Sequence, residues 1–144
     1  MKIIQIVGRA NTGKTTFIKN LIPVLKTHGK VGVIKHLGDH DYLLDKNKDT
    51  TVFFENGADI SVGIDASKSV IALHSGDLDE MLRLFQNKGM QFAVIEGFKQ
   101  REFPKVIIGD LPSETCVLRN PTVDDVVTSL ALFKDYEDKN YGSE

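Results

Sequence analysis

The segment GRANTGKTT, residues 8–16, holds the side chains of this chain that are best suited to chemistry. Gly8, Gly13, Lys14 and Thr15 occupy every fixed position of the pattern GxxxxGK[ST]. In that pattern the backbone N–H groups close around a phosphate, the lysine reaches the outer phosphates, and the hydroxyl can ligate Mg²⁺. The segment therefore predicts a nucleotide site with contacts from Gly8, Arg9, Ala10, Asn11, Thr12, Gly13, Lys14, Thr15 and Thr16.

The sequence around this loop has the elements that a phosphate loop requires. KIIQIV (2–7) is a β-branched run typical of a strand buried on both faces. Apolar residues at helical spacing follow from Lys14 to His28, and VGVIKH (31–36) resembles a second buried strand. A helix that begins near Lys14 presents its positive N-terminus to an anion, and strand, loop, helix and strand together predict a parallel βαβ unit.

An acidic residue at the end of a neighbouring strand is the second requirement of such a site. FAVIEG (92–97) supplies Glu96 after four apolar residues and before a glycine. Glutamate reaches about one methylene further than aspartate, so Glu96 could ligate Mg²⁺, act through a water molecule, or serve as a base. The alternative is a strand-end carboxylate that only solvates a loop.

Asp49 is the third candidate, because it follows the polar segment LGDHDYLLDKNK (37–48). A loop between the second strand and the next helix is where switch segments meet the γ-phosphate. Asp39, Asp41 and Asp45 are rivals for the same role. Later in the chain, VLRN (117–120) could place Arg119 and Asn120 near a base, although Asn120 could equally cap the following helix.

Two other classes of site have weaker support. A small-molecule kinase usually lines the transferring phosphate with several arginines, and this chain has only Arg9, Arg83, Arg101 and Arg119. His36 and His40 lie four residues apart in KHLGDHD, but no second cluster of cysteine and histidine completes a tetrahedral metal site.

The remaining sequence predicts a single domain over residues 1–134 and a polar, frayed tail over residues 135–144. TTVFFENGA predicts a short helix that ends at Gly57, and ISVGI (60–64) with SVIAL (69–73) predicts a β-hairpin. DLDEMLRLFQNKG predicts a helix between Asp77 and Gly89. Two further strands are expected at KVIIG (105–109) and ETCVL (114–118), then a helix in NPTVDDVVTSLALF with Asn120 as its cap.

Composition limits the partners and the compartment. The net charge is −2 and the pI is about 6.1, so no global positive field favours nucleic acid. No segment approaches the ~18 apolar residues that a membrane-spanning helix needs. The single cysteine, Cys116, is expected to be a buried, inert thiol. These features favour a soluble cytoplasmic protein.

Three segments together resemble the family of molybdopterin-guanine dinucleotide biosynthesis protein B, MobB. They are GRANTGKTT, GVIKHLGDHDYLLDKNKDTTVFFENGAD and VIEGFKQREFPKVII. The matching positions span nearly the whole chain, and the pair Glu-Gly-Phe-Lys and Pro-Lys is the most specific part. The positions that match the family pattern are Gly8, Gly13, Lys14, Thr15, Thr16, Lys35, His36, His40, Asp45, Asp49, Thr50, Gly57, Ala58, Glu96, Gly97, Lys99, Pro104 and Lys105.

The resemblance implies an α/β, P-loop NTPase-like fold, with a mostly parallel central sheet flanked by helices and a β-hairpin extension. It implies a GTP-binding accessory protein of molybdenum cofactor biosynthesis, which binds GTP with Mg²⁺ and hydrolyses it weakly if at all. Its partner would be the guanylyltransferase MobA, which attaches GMP to molybdopterin. The resemblance also implies a homodimer in which the sheets of the two copies join through hairpin strands, here 60–64 and 69–73. A small-molecule kinase and a metal-inserting chaperone GTPase remain the alternatives.

Overall fold

Residues 1–139 are described in the computed structural model, and their contacts form two compact units. Residues 1–38 and 79–139 belong to the first unit, and residues 39–78 form the second. In chain order the elements are β1 (Lys2–Val7), α1 (Lys14–Lys26), β2 (Val31–Lys35), α2 (Asp49–Glu55), β3 (Ile60–Ile64), β4 (Ser69–Leu73), α3 (Leu78–Asn87), β5 (Phe92–Glu96), β6 (Lys105–Ile107), β7 (Cys116–Arg119) and α4 (Val123–Thr128). The predicted boundary of a single domain at residue 134 stays a prediction.

A five-stranded parallel sheet in the order β2-β5-β1-β6-β7 forms the centre of the first unit. β1 and β5 are buried on both faces because helices cover both, as the continuous β-branched runs predict. Ile4 and Ile6 face a core that α1 and α4 complete with Leu21, Leu25 and Val126. On the opposite face the ring of Phe85, from α3, lies against Gly32, where a Cβ would come within 2.3 Å of it.

The second unit is a small α-plus-hairpin structure. β3 and β4 pair antiparallel with Val62 opposite Ile71, which confirms the predicted hairpin. The buried Ser61 hydroxyl donates to the Thr50 carbonyl at 2.7 Å, so this face of the hairpin packs on α2. The other face carries exposed apolar side chains: Ile60, Val62, Ile64 and Ile71.

Two details differ from the sequence predictions. The helix after β7 is capped by Thr122, whose hydroxyl accepts from the Asp125 N–H while the Asp125 carboxylate accepts from the Thr122 N–H. Asn120 does not cap it, because its backbone is left-handed at φ 47° and its side chain binds Gly109 instead. Cys116 is only partly buried, because β7 is the edge strand of the sheet.

The C-terminal segment is ordered where the prediction expected fraying. Asp135 pairs with Lys2 in an antiparallel bridge, and the N–H of Tyr136 donates to the Met1 carbonyl at 2.7 Å. Phe133 and Tyr136 are both buried, which explains why this stretch docks despite its polar neighbours. Residues 140–144 of the predicted tail lie outside the described residues.

Candidate functional site

The loop between β1 and α1 has the geometry of an anion cradle. Gly13 occupies the cap position of α1 with a left-handed backbone, φ 92°, and offers no side-chain cap, so the first N–H groups of the helix have no capping partner. Asn11 is also left-handed at φ 59°. Gly8 is required for a different reason, since a Cβ there would lie 2.4 Å from the Ile108 carbonyl oxygen. These features suit phosphate oxygens directed at the helix N-terminus.

Lys14 spans this loop. Its Nζ donates to the carbonyl oxygens of Gly8 and Arg9, each at 2.8 Å, and the Thr12 hydroxyl closes the loop with a bond to the same Arg9 carbonyl at 2.8 Å. The ammonium group therefore lies at the mouth of the cradle, and Thr15 and Thr16 follow in the first turn of α1. Arg9 points to Asp110, with which it forms an exposed ion pair at 3.1 Å.

Glu96 stands at the end of the strand beside the loop, as the sequence predicts. The register pairs Glu96 with Ile6 of β1 on one side and with Lys35 of β2 on the other. Its side chain is 13% exposed and its Oε2 lies 3.6 Å from the Lys35 Nζ. A carboxylate largely withdrawn from water next to a phosphate loop is placed to organise a cation or a water molecule.

The chain turns sharply after Glu96. Gly97 and Phe98 both have left-handed backbones, φ 94° and 53°. For a phenylalanine this conformation costs roughly 1–2 kcal/mol, so the surroundings must hold it. Its ring stacks on the His36 imidazole at 4.1 Å, while a Cβ at Gly97 would lie 2.9 Å from the His36 Cβ. His36 is thus packed against the turn that follows Glu96.

Gln5 is the residue at this site that the sequence analysis missed. It is fully buried in β1, and its side-chain amide donates to the carbonyls of Gly97 and Phe98 at 2.8 and 2.7 Å. The sequence signal that could have identified Gln5 is that it is the one amide side chain in the apolar run KIIQIV. The strand pattern alone treats Gln5 as one more buried position.

The remaining predicted residues have other surroundings. Asp49 begins α2 in the second unit, whereas the glycine-rich loop and Glu96 belong to the first, and its switch role stays a prediction. Arg119 donates to the carbonyls of Gly109 and Leu111, both at 3.0 Å, so it fastens the loop after β6, as Asn120 does. Their contact with a base stays a prediction.

All four arginines are engaged by the protein itself. Arg9 pairs with Asp110, Arg83 with Asp138 at 3.2 Å, and Arg101 with Asp79 at 3.0 Å, while Arg119 binds backbone carbonyls. Within residues 1–139 there is no group of three or more His, Cys, Asp or Glu side chains that could hold a metal ion.

Glycine-rich loop, parallel sheet and strand-end carboxylate define the class: an α/β protein with a P-loop NTPase-like fold. The family model described as molybdopterin guanine dinucleotide synthesis protein B, MobB, matches residues 3–129. The chain belongs to the MobB family. Across residues 1–139, helices long and apolar enough to cross a membrane are absent.

Known relatives agree with this assignment. A Bacillus subtilis (strain 168) protein named "Probable molybdopterin-guanine dinucleotide biosynthesis adapter protein" is 34% identical over 110 residues, 74% of this chain and 64% of the relative. An adapter-protein relative from Methanocaldococcus jannaschii is 30% identical over 112 residues, 75% of this chain and 47% of its own length. The chain thus spans about two thirds of the length of the Bacillus subtilis relative and about half of the length of the Methanocaldococcus jannaschii relative.

A solved structure shows the same fold. The crystal structure of Bacillus subtilis MobB superposes with a TM-score of 0.72 at 23% identity, covering 94% of this chain and 100% of that one. The predicted α/β fold with its parallel sheet and antiparallel hairpin is confirmed by this similarity.

Proposed function

We propose that this chain binds GTP with Mg²⁺ and acts as an accessory protein in molybdenum cofactor biosynthesis. It would assist a MobA-like guanylyltransferase in attaching GMP to molybdopterin, and would itself be at most a weak GTPase. The observation that carries the nucleotide part is the uncapped N-terminus of α1, behind a left-handed Gly13 and beside the Lys14 ammonium. The names of the relatives support the biosynthetic part.

The residues present fit both ligands. A Cβ at Gly8 would strike the Ile108 carbonyl, so only glycine allows the start of the loop to pack this closely against the chain after β6. Lys14 and the N–H groups of residues 13–16 would hold the phosphates, and the Thr15 hydroxyl with the Glu96 carboxylate would hold Mg²⁺. Bound Mg²⁺ would neutralise phosphate charge and polarise the terminal phosphoryl group.

The test is calorimetric titration of the purified protein with GTP and then ATP, each with and without Mg²⁺. We expect clear preference for GTP and tighter binding with Mg²⁺. Lys14→Ala should weaken triphosphate binding about 10- to 100-fold, because it removes charge-assisted hydrogen bonds to phosphate. The matched control is Lys19→Ala, an exposed lysine further along the same helix.

Each outcome has a definite meaning. Unchanged affinity in Lys14→Ala would overturn the nucleotide site. Equal or better ATP binding would retain the loop but favour a kinase, a class against which the four engaged arginines argue. A metal bound stoichiometrically without nucleotide would favour the chaperone alternative with His36 and His40.

The apolar outer face of the hairpin supports a further part of the proposal, a homodimer joined through β3 and β4. Ile60, Val62, Ile64 and Ile71 lie on one face and are each between 44% and 78% exposed. A second copy of the same face would cover these side chains.

A further inference from the structure

Two left-handed residues directly follow the proposed Mg²⁺ carboxylate. Gly97 and Phe98 come directly after Glu96, the last residue of β5, so the backbone of this turn continues that of Glu96. Gly97 is tied to β1 by its N–H, which donates to the Ile6 carbonyl at 3.1 Å. The two carbonyls of the turn are bonded by one side chain, Gln5.

Gln5 has an unusual setting for a glutamine. It is 0% exposed in the central strand, and within residues 1–139 its Oε1 is a buried side-chain oxygen without a hydrogen-bond partner. A buried amide with one unsatisfied end is unfavourable compared with leucine or methionine of similar size. Packing therefore does not explain the residue, whereas the two bonds from Nε2 do.

We propose that Gln5 is a positioning residue, whose amide holds the Gly97–Phe98 turn and thereby sets the direction of the Glu96 carboxylate. Its position makes this effective, because Gln5 lies three residues before Gly8 in the strand that leads into the phosphate loop. One strand thus fixes both the phosphate cradle and the carboxylate beside it. What Glu96 does for Mg²⁺ rests on the proposed function.

A neighbouring residue provides a matched control. Lys105 pairs with Gln5 in the register of β1 and β6, and it is likewise buried. Its ammonium group donates to the carbonyls of Arg101 and Phe103 and to the Thr115 hydroxyl, so it fastens the far end of the same loop. Lys105→Met therefore removes a buried polar anchor whose own acceptors are at residues 101, 103 and 115, and neither Gly97 nor Phe98 is among them.

The first experiment needs no nucleotide. The stack of Phe98 on His36 displaces the His36 ring-proton resonances in NMR spectra, and Phe98→Ala gives their unstacked positions. We expect Gln5→Met to move these resonances toward the Phe98→Ala positions and Lys105→Met to leave them in place. Parent positions in a folded Gln5→Met protein would overturn the proposal.

The second experiment measures the consequence for the site. We expect Gln5→Met to retain Mg²⁺-free GTP affinity and to lose roughly tenfold of the gain that Mg²⁺ adds, because a misplaced carboxylate coordinates poorly. In Gln5→Met/Glu96→Gln the two losses should not add, since both act through one carboxylate. Additive losses, or an equal loss with and without Mg²⁺, would assign Gln5 a role in stability alone.

A reciprocal measurement covers a Gln5→Met protein that fails to fold. Gly97→Ala must shift the turn, because of its φ and its contact with His36. The side-chain amide resonances of Gln5 should then move, and unchanged resonances would overturn the proposal. If the parent protein binds no GTP, the proposed function fails, while both NMR results still decide whether Gln5 holds the turn.

Discussion

The role of the Glu96 carboxylate can be tested directly by a single substitution. Its carboxylate is largely withdrawn from water and faces Lys35 at 3.6 Å. We expect Glu96→Gln to keep Mg²⁺-free GTP affinity and to lower hydrolysis about 10- to 100-fold, since the amide neither ligates Mg²⁺ well nor accepts a proton. Single-turnover hydrolysis measures this, with Glu114→Gln as the exposed control. A parent-like rate would make Glu96 merely structural.

The residues that the sequence could predict are those whose role is local. Gly13 and Lys14 follow from a motif in which adjacent residues act together, and Glu96 follows from the end of a strand. Gln5 could not be found this way, because its two acceptors lie more than 90 positions away. Asn120 was misassigned for a similar reason: its side chain serves Gly109, a contact between neighbouring strand ends that no local helix signal reveals.

At the scale of elements, Asp79 joins three parts of the first unit. It accepts two hydrogen bonds from Arg101, both at 3.0 Å, and one from the Tyr136 hydroxyl at 2.7 Å. The first turn of α3, the loop after β5 and the C-terminal segment therefore meet at one carboxylate. The Arg101 hydrogen bonds hold the pKa of Asp79 below its ordinary value, whereas burial and the Asp79 bond raise the pKa of Tyr136 above its own.

This junction predicts a pH dependence of stability. Because the folded state lowers the pKa of Asp79, its contribution is fully present above about pH 4 and is lost as the pH falls through the folded pKa. Asp79→Asn should therefore be less stable than the parent at pH 7, and the difference should shrink toward pH 2.5. Urea unfolding across that range measures it. A constant difference would show that the charge of Asp79 is unimportant.

Removing a buried side chain near the C-terminal end of the described residues should lower the stability of the fold. Phe133 is 3% exposed and belongs to the core that α1 and α4 share. Phe133→Ala should lower the free energy of unfolding by about 3–5 kcal/mol, because it leaves a cavity as well as losing buried area. Chemical denaturation checks this against Leu132→Ala, an exposed neighbour. The sequence could not predict the docking of residues 135–139, because one buried aromatic, Tyr136, among polar neighbours gives no periodic pattern.

At the scale of the whole molecule, the hairpin decides the proposed assembly. Strands β3 and β4 were predictable from two short apolar runs and the DASK turn between them, in which the Asp65 carboxylate accepts from the Ser67 and Lys68 N–H groups. Which face α2 would cover was not predictable, because both faces carry apolar residues. The structure shows that Ser61 faces α2, so Val62 and Ile71 face outward.

A charge on the outward face should therefore separate the proposed dimer. We expect light scattering to give the parent twice the 16.0 kDa mass of one chain and to give Ile71→Lys a single-chain mass, because burying an unpaired ammonium group is strongly unfavourable. Val70→Lys is the matched control, since Val70 is adjacent and exposed but lies opposite Gly63 on the other face. A parent protein that is monomeric at high concentration would overturn the dimer, and equal dissociation by both variants would place the interface elsewhere on the hairpin.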